Sequence, residues 1–246
     1  MLELDVAEGV HRISHAYTNF YLIDGGDGMT LVDAGVPTSW RAFADALASL
    51  GRRKDDVHAL VLTHAHFDHI GFAERVRSEM HVPVWVHPND EHLTRHPLQY
   101  EHERARSLYL LTQPRALPIV FSLTRNGAWW PRPIKDVRYI GEGTLPVPGD
   151  LHVIATPGHT LGHCALHIPD RDCVIAGDAL VTLDPYTGKS GPRIVARAAT
   201  ADSEEALRSL DALAATNAGT VLTGHGDPWR GGVEEAVRVA RETKVY

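Results

Sequence analysis

Short apolar runs punctuated by glycine, proline and aspartate alternate along the first third of the chain with one stretch of helical spacing. Asn19-Phe20-Tyr21-Leu22-Ile23-Asp24 and Met29-Thr30-Leu31-Val32-Asp33 read as strands, and the Gly-Gly-Asp-Gly turn at 25–28 between them makes a hairpin. Thr38 to Gly51 has capping residues at its start, apolar residues three and four apart, and glycine at its end, which predicts a helix on the outside of a sheet. Ala59-Leu60-Val61-Leu62-Thr63, apolar and β-branched, then predicts a buried strand.

The same order recurs towards the C-terminus. Strands are predicted at Leu151 to Ala155, Ala165 to Ile168 and Cys173 to Asp178, then a helix capped near Asp202-Ser203 and running through Leu213. A strand at Thr220 to Thr223 follows and ends in Gly224-His225-Gly226. Each half thus repeats a strand, helix, strand plan with polar residues at the strand ends. Folding the halves face to face brings those ends to one edge, with two packed sheets between outer helices. Residues 91–140 break the plan with mixed spacing, prolines and the pair Trp129-Trp130, and predict helices and loops, either a lid over that edge or a hairpin packed on the surface. No stretch reads as a linker, so residues 1–246 are expected to form a single domain.

Composition narrows the class. Among 246 residues, 43% are hydrophobic and 22% charged, as in ordinary soluble globular proteins, and no apolar run is long enough to span a bilayer. The acidic start, Met1-Leu2-Glu3-Leu4-Asp5, lacks the basic and apolar regions of a signal peptide, so a cytoplasmic location and no membrane partner are expected. A net charge of −7 without a basic stripe argues against a nucleic-acid partner. The two cysteines, Cys164 and Cys173, exclude a disulfide framework. They flank the turn-like Pro169 to Asp172, where they could face each other across a hairpin, but core packing as reduced thiols is the stronger expectation.

The chemistry lies in Thr63-His64-Ala65-His66-Phe67-Asp68-His69, three imidazoles and a carboxylate crowded behind a strand. Imidazole with carboxylate suits zinc, iron or manganese better than calcium or magnesium. His159 in the Thr156 to Thr160 turn, Asp178 and His225 occupy matching strand-end positions, which gives seven candidate ligands. That exceeds the three protein ligands and water of one catalytic zinc. It fits two ions, with His64, His66 and His159 on the first, Asp68, His69 and His225 on the second, and Asp178 bridging.

With these residues in place the chain resembles the metallo-β-lactamase-fold hydrolases, whose HxHxDH signature matches residues 64–69 and whose later His, Asp and His match 159, 178 and 225. The resemblance covers nearly all of the chain except 91–140. It implies an α/β fold, a four-layer αββα sandwich, with a dinuclear centre, usually of zinc, at one edge; iron or manganese are the other candidates. Asp178 makes the chain more similar to glyoxalase II-like thioesterases and lactonases than to zinc β-lactamases, which commonly use a cysteine at the second ion. The implied reaction is attack by metal-held hydroxide on an ester, lactone, thioester or amide carbonyl of a small-molecule substrate, with Asp68 orienting the nucleophile. Asp33, Thr63 and Thr160 are the candidates to hold imidazole nitrogens from behind. In the turn-rich loop after Asp178, Tyr186 and Arg193, with Lys189 less favoured, are the candidates to contact substrate. His163 is left outside the ligand set, and His87, His92, His96 and His102 are read as surface or lid residues. The alternative on this fold is an iron-dependent oxidoreductase resembling persulfide dioxygenases, which keep only a His/His/Asp set.

Overall fold

A computed structural model describes the backbone of residues 1–246 and every side chain except that of Leu110. Strands β1 (Leu2–Ala7), β2 (Val10–His15), β3 (Thr18–Asp24) and β4 (Met29–Val32) follow one another antiparallel. The chain then passes through helix α1 (Ser39–Ser49) to β5 (Val57–Val61), parallel to β4, and through α2 (Ala73–Met80) to β6 (Val84–Val86). Helices α3 (Glu91–Arg95), α4 (Arg106–Thr112) and α5 (Leu117–Arg125) intervene before β7 (Arg138–Tyr139), which completes a seven-stranded sheet in sequence order.

The second half begins with β8 (Gly143–Thr144), β9 (His152–Ala155), β10 (Cys164–Ile168) and β11 (Cys173–Gly177). A hairpin of β12 (Val181–Asp184) and β13 (Lys189–Arg193), helix α6 (Ser203–Ala214), β14 (Thr220–Thr223) and helix α7 (Val233–Glu242) follow. The second sheet has the order β14-β11-β10-β9-β8, with β14 parallel to β11. The strand, helix, parallel strand unit therefore occurs twice, as β4-α1-β5 and as β11-α6-β14.

Period-two alternation explains the layering. Leu31 and Leu60 point from the first sheet into a core shared with Phe43 and Leu47 of α1 and Val76 of α2. Their strand neighbours Val32 and Val61 point the other way, onto Leu166, Ile175 and Leu222 of the second sheet. On that sheet Val174 and Val221 face outward onto Leu210 of α6 and Val237 of α7. Both sheets are thus buried on both faces, which is why their central strands read as unbroken apolar runs. The arrangement is the expected αββα sandwich.

Several expectations change in detail. The strand expected at Ala59 to Thr63 is β5, Val57–Val61, because the chain crosses between sheets at its end: Leu62 N donates to Trp85 O of the first sheet (2.9 Å), whereas Thr63 O accepts from Cys164 N of the second (2.8 Å). The stretch after Asp178, read as a turn-rich loop, is largely the β12–β13 hairpin. Its pairing is made by backbone and by the Asp184 carboxylate, which accepts from Tyr186 N and Thr187 Oγ1, so no apolar alternation advertises it. Cys173 lies opposite Ile168 rather than Cys164, and both thiols are free and buried in the inter-sheet core.

Candidate metal centre

Every candidate ligand follows the carboxyl end of a strand or the turn after one, where side chains leave the sheets and open sheets place their ligands. Asp33 follows β4, His64 to His69 follow β5, Asp178 follows β11 and His225 follows β14. His159 is carried by the turn between β9 and β10. All seven candidate ligands are buried, and they converge at one edge of the sandwich. Ligand atoms of His64, His66 and His159 lie within 4.8 Å of one another, as do those of Asp68, His69 and His225, and those of His64, His69 and Asp178. Asp178 stands between the sets: its Oδ2 is 3.2 Å from His225 Nε2 and 3.5 Å from His159 Nε2, and its Oδ1 is 3.6 Å from His69 Nε2.

Hydrogen bonds at the rear of the rings fix where the lone pairs point. His225 Nδ1 lies 2.7 Å from Tyr17 O, and a carbonyl can only accept, so Nδ1 carries the proton and Nε2 a lone pair. His69 Nδ1 lies 3.0 Å from Asp33 Oδ2, which imposes the same tautomer. The two Nε2 atoms are only 3.4 Å apart, with Asp178 and Asp68 oxygens beside them. His64 Nε2, His66 Nε2 and both ring nitrogens of His159 are buried without a hydrogen-bonding partner. Imidazole nitrogens and carboxylates crowded into one buried space, with too few donors to satisfy them, are costly unless a cation fills it. The donor set therefore fits the divalent ions that the sequence implies.

The electrostatics agree. Burial and the surrounding imidazoles hold His64 and His66 neutral, and burial lowers His159 to about 4, so all three rings are uncharged at neutral pH and each keeps one nitrogen lone pair. Burial also pulls on His69, but Asp178, Asp33 and Asp68 outweigh it and raise it to about 10. That edge of the site attracts positive charge, which a metal ion supplies in place of a proton. Gly224 is required by the crowding: a Cβ there would collide with Asp178 Oδ1 and come within 2.8 Å of His69 Cε1.

Other expected residues are placed as follows. Asp33, left-handed at φ +60°, accepts from Thr63 N (2.8 Å) and Thr63 Oγ1 (2.9 Å) besides facing His69. The Thr63 hydroxyl is also 3.0 Å from His64 Nδ1. Thr160 sits beside the site, but its hydroxyl donates to Asp90 Oδ2 (2.8 Å) and not to an imidazole. Tyr186 is half-buried, lines a cavity at the cluster and pairs hydroxyl to hydroxyl with Tyr100 at 2.6 Å. Arg193 is absent from the lining of the cavities at the cluster, since its guanidinium turns back onto Gly191 O and Ser190 O of its own hairpin. Lys189 lies 3.4 Å from the centroid of the Tyr246 ring.

Three residues have roles that the sequence reading did not assign, although it left His163 outside the ligand set and His163 belongs to none of the ligand groups. Asp90, fully buried, accepts from Ala65 N, Thr160 Oγ1 and Gly162 N, and so ties the His66 loop to the His159 turn. His163 precedes β10; its Nε2 accepts from Asp178 N (3.0 Å) while Nδ1 meets Thr156 Oγ1 (2.8 Å), so it holds the turn that presents Asp178. Tyr100 packs on His66 with ring centroids 4.1 Å apart. Asp90 and Tyr100 carry no local motif, whereas the His159-x-x-x-His163 spacing was available as a signal. Residues of the 91–140 stretch, among them Val120, Leu123 and Trp129, wall the cavity beside the cluster.

A family model described as the Metallo-beta-lactamase superfamily matches residues 15–225. The chain is 28% identical over 243 residues to YflN of Bacillus subtilis, named a probable metallo-hydrolase, covering 92% of this chain and 87% of that protein. Its structure is similar to that of a metallo-beta-lactamase family protein from Thermus thermophilus, with TM-score 0.68 and 25% identity over 94% of this chain and 78% of the other. It is also similar to TTHA1623, solved in a di-iron-bound form, with TM-score 0.67 and 24% identity over 94% and 98% of the two chains.

Proposed function

Since the chain belongs to the metallo-beta-lactamase superfamily, we propose that it is a hydrolase holding two divalent cations, zinc in the first instance, and that it cleaves a small ester, lactone, thioester or amide at its carbonyl carbon. The observation that carries this reading is the convergence of buried imidazole nitrogens and carboxylates, several of them without a hydrogen-bonding partner. His64, His66 and His159 would hold one ion, Asp68, His69 and His225 the other, and Asp178 both. Such a pair supplies a water of lowered pKa and polarisation of the substrate carbonyl.

The chain's own groups do the rest. Asp33 and Tyr17 O keep His69 and His225 in the tautomers that aim Nε2 inward. A carboxylate oxygen of Asp68 accepts a hydrogen bond from the attacking water and orients it. In the Tyr100–Tyr186 pair one hydroxyl proton is spent on the partner and the other is free for a substrate oxygen. Burial raises Tyr100 to about 12 and Tyr186 above its ordinary value, so both remain donors at neutral pH. The apolar wall excludes bulk water. In the net step the water oxygen bonds to the carbonyl carbon, the bond to the leaving heteroatom breaks, and a water proton passes to that heteroatom. We place this work on small molecules in the cytoplasm, where Cys164 and Cys173 stay reduced.

Metal analysis with a hydrolysis panel of esters, lactones, thioesters and amides tests the proposal. About two metal ions per chain are expected, with hydrolysis abolished by chelation and by His159→Ala or Asp68→Ala. The di-iron form of TTHA1623 is the reason to assay iron beside zinc and manganese. About one iron per chain with oxygen uptake would instead make the protein an oxygenase.

A further inference from the structure

The centre opens into two chambers, one apolar and one of mixed lining. His66 and His159 line both. One chamber, about 40 Å³, is walled by Phe67, Val120, Leu123, Trp129, Val195 and Ala199, together with the ligand side chains. The other, about 180 Å³, sets Asn89, His92, Gln99 and Glu101 beside the apolar Leu93 and Leu161. Tyr100 belongs to the second chamber and Tyr186 to the first, so their hydroxyl pair marks the partition. Neither chamber has a lysine or arginine in its lining among the described residues, and the larger one contains the carboxylates of Asp90 and Glu101.

We propose that the substrate is an ester or thioester with a short aliphatic acyl group and a neutral or cationic leaving group, bound with its carbonyl at the partition. This rests on the hydrolase reading above. An apolar chamber this small takes a short chain and gains from burying it, while a long chain meets Trp129 and Leu123. The leaving group then lies in the larger chamber, where the Asn89 and Gln99 amides and the His92 imidazole offer hydrogen bonds. The Arg106 guanidinium is held over the Tyr100 ring, 3.8 Å from its centroid, and on Tyr100 O, outside the lining. An anionic tail would therefore meet no cationic side chain in the wall and would be repelled by Glu101, whereas a cation is attracted. Specificity against anionic thioesters thus comes from a like charge as much as from missing contacts. Because Glu101 is exposed, salt weakens the discrimination.

Two amides that share a butyryl group and a two-carbon spacer but end in trimethylammonium or sulfonate isolate the charge. Calorimetry on the metal-loaded protein is expected to show the cationic probe binding at least tenfold more tightly, with the ratio shrinking in high salt. Glu101→Lys should reverse the order. Leu123→Trp, or Val120→Trp should the former fail to fold, should abolish binding of both probes while metal content stays unchanged. Equal binding of the two probes, or indifference to Glu101→Lys or to the filled chamber, overturns the assignment. Hydrolysis of the corresponding butyryl esters is measured separately. Turnover without charge preference sinks this inference and leaves the hydrolase reading intact. Charge-selective binding without turnover of any ester, lactone, thioester or amide overturns the hydrolase reading, and the substrate assignment with it, and leaves only a charge-selective binding chamber.

Discussion

At the scale of single residues, what decides the chemistry is which atom of each ring carries a proton. The Asp33 carboxylate is shared between Thr63 and His69, so Asp33→Asn leaves one acceptor oxygen and places an amide donor against another donor. Metal affinity is expected to fall about 10–100-fold, the usual cost of losing a carboxylate behind a ligating histidine. Competition with a chromogenic chelator reads it, and unchanged affinity would remove Asp33 from the site's support. The cysteines behave oppositely. Burial raises Cys164 and Cys173 to about 12, so the folded protein favours the neutral thiols. The stability this contributes is complete below the ordinary thiol value of 9.0 and is lost as the pH rises towards 12. With the thiolate disfavoured and both sulfurs buried, neither should react with a disulfide reagent at about pH 8 until the protein unfolds, when both should. Rapid native labelling would contradict their placement.

Among the elements, the turn between β9 and β10 shows how backbone geometry serves the site. Gly158, beside His159, has φ +130°, which side chains rarely adopt, and a Cβ there would strike the Ala206 backbone nitrogen in α6. The turn can lie this close to α6 only with glycine. Gly158→Ala is therefore expected to cost about 2 kcal/mol or more, measured by denaturant unfolding, and to impair metal retention. A cost within about 0.5 kcal/mol, the range of ordinary surface changes, would mean that the turn and helix are free to separate. Elements with strong side-chain patterns were legible: α6 begins where Asp202 accepts from Glu205 N (2.8 Å), as its capping sequence predicts. The β12–β13 hairpin was not, because Gly188, Pro192 and the polar residues around them give no apolar alternation and the pairing is carried by backbone. Nor was the end of β5, where the switch of Thr63 to the second sheet depends on Cys164, a hundred residues away.

For the whole molecule, the centre joins the two halves, since His64 to His69 come from one and His159, Asp178 and His225 from the other. Ions bound there stabilise only the folded chain. At a free concentration one hundred times the dissociation constant the gain is about 2.7 kcal/mol, or roughly 5–10 °C in melting temperature for a domain of this size. Chelation should lower the melting temperature by that order and re-addition of zinc restore it; identical melting with and without chelator would count against ions linking the halves. Sequence by itself determined the repeated strand, helix, strand plan and the residue types able to bind metal, because local periodicity and strand-end chemistry are carried by near neighbours. Tertiary structure decided which nitrogens face inward, the roles of Asp90, His163 and Tyr100, the retreat of Arg193 from the cavities, and the two chambers. Those depend on contacts between segments far apart in the chain, whose register only the packing of the two sheets sets.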